Sequence, residues 1–180
     1  MGVGGATLSN DFDPDLILRF LDEFEVDYVL VGGVAARAHG ATRATSDIDC
    51  VPSTDTENLE RLAAALRRLG ARLRVAGMSD DEARALPVQL DAITLAAFGS
   101  STWMTDAGPL DVLVELRDAS GGHHPYADLI TRASAINVGG LTVRIAALGD
   151  IVASKQYAAR SKDREALPEL LGLLDALEND

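Results

Sequence analysis

Asp47 and Asp49 are the residues whose types and spacing most directly suggest chemistry. They stand one residue apart in the apolar run Asp-Ile-Asp-Cys-Val-Pro. A strand alternates its side chains, so both carboxylates share a face while Ile48 takes the other. Two such charges a few Å apart repel by roughly a few kcal/mol at an effective dielectric near 20, and a cation between them relieves this. Water on a solvated strand face would do the same, but Ile48, Cys50 and Val51 give the segment a buried character. Gly32-Gly33 stands ahead of the pair, after the strand-like run 28–31. Glycines let a backbone pass close to a ligand, and the N–H groups of a following helix start attract phosphate. A tight turn is the plainer reading. Asp111 opens a second alternating run, Asp-Val-Leu-Val-Glu. It is either a turn residue at a strand start or, if that strand lies beside Asp47 and Asp49, a third carboxylate. Hard oxygen ligands suit magnesium, and the combination suits a two-metal, in-line displacement at phosphorus.

These residues need a scaffold, and 180 residues provide one ordinary core with a small helical appendage. Apolar residues make up 47% and charged ones 24%, a globular balance. No apolar stretch approaches the ~20 residues of a membrane helix. The N-terminus lacks the basic and apolar regions of a secretory signal, and the single cysteine, Cys50, cannot pair within the chain, so a cytoplasmic location is expected. The net charge of −12 argues against an extended polynucleotide surface, leaving room only for a local basic patch at one RNA end.

The predicted order is a flexible leader at 1–11, a core at 12–145 and a C-terminal helical segment at 146–180, which the resemblance given below implies completes the active site. Asp13-Pro14 should start a helix with Leu16, Ile17, Phe20, Leu21 and Phe24 as its core face. Strands are expected at 28–31, 47–52, 73–76, 92–98 and 110–116, with a hairpin around Gly139-Gly140. Helices are expected at 34–39, at 126–133, after possible capping boxes at 54–57 and 79–82, and at 146–160 and 163–177. The last should carry Leu167, Leu170, Leu171, Leu174 and Leu177 as its apolar stripe. The fold class is therefore α/β, a small mixed sheet of about four or five strands flanked by helices, followed by a helical pair.

The run GGVAARAHGATRATSDIDCVP (32–52) resembles the nucleotidyltransferase signature of the DNA polymerase β superfamily, Gly-Gly followed at a distance by Asp-x-Asp. Its tighter form, HG-x-x-R-x-T-x-DID at 39–49, resembles the AbiEii/MenT-type nucleotidyltransferases, many of them toxins of toxin–antitoxin pairs. The segment 147–170, with a helix lysine followed by Lys-Asp and a leucine-rich helix, is similar to the same group. The resemblance implies that Gly32 and Gly33 cradle a triphosphate, that Asp47 and Asp49 bind magnesium (Mg2+), and that Lys155 contacts the triphosphate. It implies that Asp163 orients part of the site and that Arg43 offsets phosphate charge. Each has a plainer alternative: Lys155 as a surface lysine, Arg43 as a partner of Asp47 or Asp49, Asp163 as a first-turn acid.

The activity implied is transfer of a nucleoside monophosphate from an NTP, such as ATP or CTP, to an acceptor hydroxyl. The implied acceptor is the 3′ end of tRNA, with blocked translation as the outcome and an antitoxin as partner. A small-molecule or protein hydroxyl is the alternative, as is a non-catalytic binding module. Thr45 and Ser46 lie against the carboxylates, where a regulatory phosphate would place negative charge. His39, His123, His124 and Trp103 are weaker candidates.

Overall fold

The structure is a computed structural model that describes residues 12–179, so the expected leader at 1–11 lies outside the described residues. Helix α1 (Pro14–Glu23) starts as its sequence predicts. The Leu16 N–H donates to Asp13 Oδ1 at 3.0 Å, and Pro14 occupies the first turn, where no N–H is needed. It buries Ile17, Leu18 and Leu21, whereas Leu16 turns outward. The chain continues through β1 (Tyr28–Val31), α2 (Gly32–Ala38), β2 (Ile48–Pro52), α3 (Thr56–Arg68), β3 (Arg72–Leu73) and α4 (Asp80–Ala85). Next come α5 (Ala92–Phe98), β4 (Ser101–Thr105), β5 (Gly108–Val112), β6 (Glu115–Arg117), β7 (His123–Pro125) and α6 (Tyr126–Arg132). The hairpin β8 (Ser134–Val138) and β9 (Leu141–Ile145) and the helices α7 (Leu148–Ala158) and α8 (Ser161–Glu178) complete it.

The strands form a mixed sheet in the order β3-β4-β5-β2-β1-β9-β8, seven rather than the expected four or five, and β6-β7 stands apart as a two-stranded ribbon. At its centre β1 runs antiparallel to β2, and β5 lies parallel to β2. Val29, Leu30, Ile48, Cys50, Val51 and Leu110 are buried there. No described helix is long and apolar enough to cross a membrane.

Several local expectations change. Residues 92–98 form a helix, because Asp91 caps the Thr94 N–H at 2.8 Å and Ala92 and Leu95, three apart, are the buried pair. Ile93 between them is 79% exposed, which excludes a buried strand face. The run 110–116 divides: β5 ends at Val112, and β6 pairs with β7 instead. The strand expected at 73–76 shrinks to Arg72–Leu73. The box at Ser79 and Glu82 forms, but that at 54–57 does not, since the Ser53 hydroxyl donates to Asp55 at 2.7 Å and no side chain caps α3. In α8, Leu170 is buried while Leu171 and Leu177 face outward.

Candidate active site

Parallel pairing of β2 with β5 sets Asp49 opposite Asp111, flanked by the pairs Ile48–Leu110 and Cys50–Val112. Those flanking residues are buried in the core, so alternation turns both carboxylates to the opposite face. Asp47, immediately before β2, joins them: one oxygen from each of the three lies within 4.8 Å of the others. The Thr45 hydroxyl donates to Asp47 Oδ1 at 2.8 Å. Burial, then the charges of Asp47 and Asp111, push the Asp49 carboxyl up to about 7 against the opposing pull of Lys162 and Lys155. Asp111 is raised as well, first by burial, with Asp47 adding to it. Its Oδ1 is buried without a hydrogen-bond partner. A buried acceptor with no donor, beside two further carboxylates, fits a divalent cation with hard oxygen ligands.

Gly32 opens α2 directly beneath these groups, with φ at +67°. A Cβ there would strike the Asp49 carboxylate, so the glycine is what leaves that carboxylate uncovered. A Cβ at Gly33 would sit 2.5 Å from Thr45 Oγ1, disturbing the hydroxyl that holds Asp47. Gly32→Ala therefore combines left-handed strain of about 1–2 kcal/mol with displacement of a site carboxylate. It is expected to lower kcat/KM at least ~100-fold, as misplacement by about 1 Å does, with an unchanged circular dichroism spectrum.

The opposite wall comes from the C-terminal helices. Lys155 on α7 lines the same cleft of about 460 Å³ as Gly32, Gly33 and the aspartates. Its Nζ lies 3.3 Å from Asp163 Oδ1, and Arg160 Nε donates to Asp163 Oδ2 at 2.7 Å. Asp163 is fully buried in the first turn of α8. Burial pushes its carboxyl up, but the Arg160 hydrogen bond and the Arg160 and Lys155 charges outweigh this and leave it below the usual range. Lys155 is thus a held side chain, not a loose surface lysine.

Arg43 pairs with neither Asp47 nor Asp49. Its guanidinium donates to Glu165 on α8 at 2.9 Å, and Thr42 donates to Glu169 from both its N–H and its hydroxyl. The segment leading into Asp47 is therefore tied to α8 across the cleft, which Arg43, Thr45 and Ser46 also line. Two cations on this wall were given no role from the sequence, Arg160 and the Lys162 of the Lys-Asp pair, although Lys162 acts on both Asp49 and Asp111. They follow Ala159, a left-handed residue at φ 47° where no glycine marks the turn. His39 contacts the Ala146 carbonyl at 2.8 Å, and Trp103 is core, donating to Ser101 Oγ at 2.9 Å. His123 and His124 pair with Glu115 and Asp118. None of these four lines the cleft.

No protein-family model and no curated protein matches the chain. Solved structures do resemble it. The crystal structure of ANT(2'')-Ia in complex with adenylyl-2''-tobramycin superposes with a TM-score of 0.57 at 20% identity, covering 91% of this chain and 88% of that one. The lincomycin-bound lincosamide antibiotic adenylyltransferase LnuA gives 0.53 at 15% identity, covering 91% and 99%. With a mixed sheet, flanking helices and these neighbours, the chain has the α/β nucleotidyltransferase fold.

Proposed function

We propose that the protein is a magnesium-dependent nucleotidyltransferase that moves a nucleoside monophosphate from an NTP onto an acceptor hydroxyl. The observation that carries this reading is the meeting of Asp47, Asp49 and Asp111 within 4.8 Å, in a cleft whose other wall bears Lys155. Magnesium held by the three carboxylates would screen the triphosphate and acidify the acceptor hydroxyl. Gly32 and Gly33 leave room for the triphosphate, and Lys155, aimed by Asp163, offsets its charge. The bond from the acceptor oxygen to the α-phosphorus forms as the bond to pyrophosphate breaks, and the hydroxyl proton passes to a carboxylate of the site, Asp111 or a neighbour.

The acceptor we propose is the 3′ end of tRNA, with translation blocked and a cognate antitoxin as partner. The resemblance of 39–49 and 147–170 to AbiEii/MenT-type enzymes supports it. A phosphate added to Thr45 or Ser46 would then oppose NTP binding, since the Thr45 hydroxyl sits on Asp47. A small-molecule acceptor is the second reading, favoured by the likeness to LnuA and ANT(2'')-Ia. Incubation with each α-labelled NTP, magnesium and total tRNA, or hydroxyl-bearing antibiotics instead, separates them. Label on RNA with EDTA-sensitive pyrophosphate release is the expected result. Label only on an antibiotic selects the second reading, and no pyrophosphate release with any acceptor overturns the transferase.

A further inference from the structure

A second groove, of about 420 Å³, lies on the far side of Asp111 from the Lys155 wall. It shares Asp111 and Leu113 with the main cleft, so the two hollows meet at the carboxylate that would face an attacking hydroxyl. Its floor follows from strand register. Asp49 is opposite Asp111, Asp111 is opposite Thr102, and the Arg74 N–H donates to the Thr102 carbonyl at 2.9 Å, which extends the ladder by one residue. Residues opposite one another across a sheet share a face, so Asp49, Asp111, Thr102 and Arg74 form one polar row. Successive strands are ~4.8 Å apart, which sets the Arg74 backbone about 10 Å from that of Asp111.

Arg74 is exposed and makes no close ion pair with another described residue, although its charge acts on Asp111 across the groove. Phe98 ends α5 in the same groove, its ring tilted at 48° against buried Trp103 at 6.4 Å and 42% of its surface still exposed. An exposed guanidinium, a partly exposed aromatic ring and a carboxylate in one groove match a phosphate, a flat base and a ribose hydroxyl. A polycationic amino sugar would meet Arg74 with like charge.

We propose that this groove is the acceptor subsite and takes the terminal nucleotide of an RNA 3′ end: its phosphate on Arg74, its base against Phe98, its hydroxyl at Asp111. The assignment rests on the nucleotidyl-transfer reading for its purpose, but it makes a separate prediction about binding. Both Arg74 and Phe98 are exposed, so their variants should fold.

The test is fluorescence anisotropy of a short, 5′-labelled single-stranded RNA with a free 3′ hydroxyl, alongside binding of magnesium and a non-hydrolysable NTP analogue. Phe98→Ala is expected to weaken RNA about tenfold, the scale of one lost base stack. Arg74→Glu should weaken it at least as much, and Arg74→Ala should lower the salt slope by about one. The NTP analogue should bind all variants within about twofold of wild type. Wild-type RNA affinity in Phe98→Ala and Arg74→Glu, or no RNA binding by the wild type, overturns the subsite. So does label passing to free mononucleotide in place of RNA. Loss of RNA affinity in the variants of a protein that binds no NTP analogue would keep the groove and remove the transferase reading instead.

Discussion

Asp49→Asn is expected to make the metal-free protein more stable at pH 8 while lowering nucleotidyl transfer by about 1,000-fold or more. The activity loss follows from removing one of three site carboxylates, because metal-borne charge stabilisation is worth several kcal/mol. The stability gain follows from the carboxyl at about 7, raised by burial and by Asp47 and Asp111 from an ordinary 3.8. A raised acid binds its proton more tightly in the folded state than in the unfolded chain. Between about pH 4 and pH 7 the unfolded chain has released that proton and the folded protein has not, so folding stability declines as pH rises. The full cost, up to about 4 kcal/mol, is present above pH 7. Asparagine carries no such charge. Urea unfolding in EDTA at pH 5 and pH 8 should show wild type losing stability with pH and Asp49→Asn losing much less. Magnesium should restore part of the wild-type loss. A variant no more stable than wild type at pH 8 would contradict the strain assigned to this cluster.

Asp163→Ala is expected to cost about 3 kcal/mol of stability, the scale for removing one partner of a buried ion pair. The carboxylate is fully buried, and the Lys155 side chain it holds is 18% exposed, whereas Arg160 is open enough to be rehydrated. Without its anchor, Lys155 should also lose its aim into the cleft, raising KM for NTP. The double variant Lys155→Met/Asp163→Leu separates these effects. It should recover most of the stability, because apolar replacement of a buried pair is often neutral, yet it should not recover transfer. Recovery of both would leave Lys155 without a role at the triphosphate.

The reach of the sequence is clearest at the aspartates. Alternation about the start of β2 sufficed to expect Asp47, just before the strand, and Asp49 on a common face, because that relation is local. Asp111 needed the parallel pairing of β2 with β5, a contact across about sixty residues that no periodicity encodes. The same limit hid the Arg43–Glu165 pair, which joins segments 122 residues apart. The apolar run 92–98 suits either a strand or a helix, and the Asp91 cap with buried Ala92 and Leu95 decides for helix. The sheet proved wider than expected because the polar run 101–105 forms β4 and the hairpin β8-β9 joins the sheet beside β1, placements that no local pattern encodes.

A divalent ion carrying a nucleotide is expected among Asp47, Asp49 and Asp111. Crystals grown with manganese and a non-hydrolysable NTP analogue test it through anomalous scattering. The expected result is a peak about 2.1 Å from an oxygen of each carboxylate, with the analogue's phosphates running from Gly32 toward Lys155. A nucleotide bound elsewhere, or manganese absent from the three aspartates at saturating concentration, would contradict it.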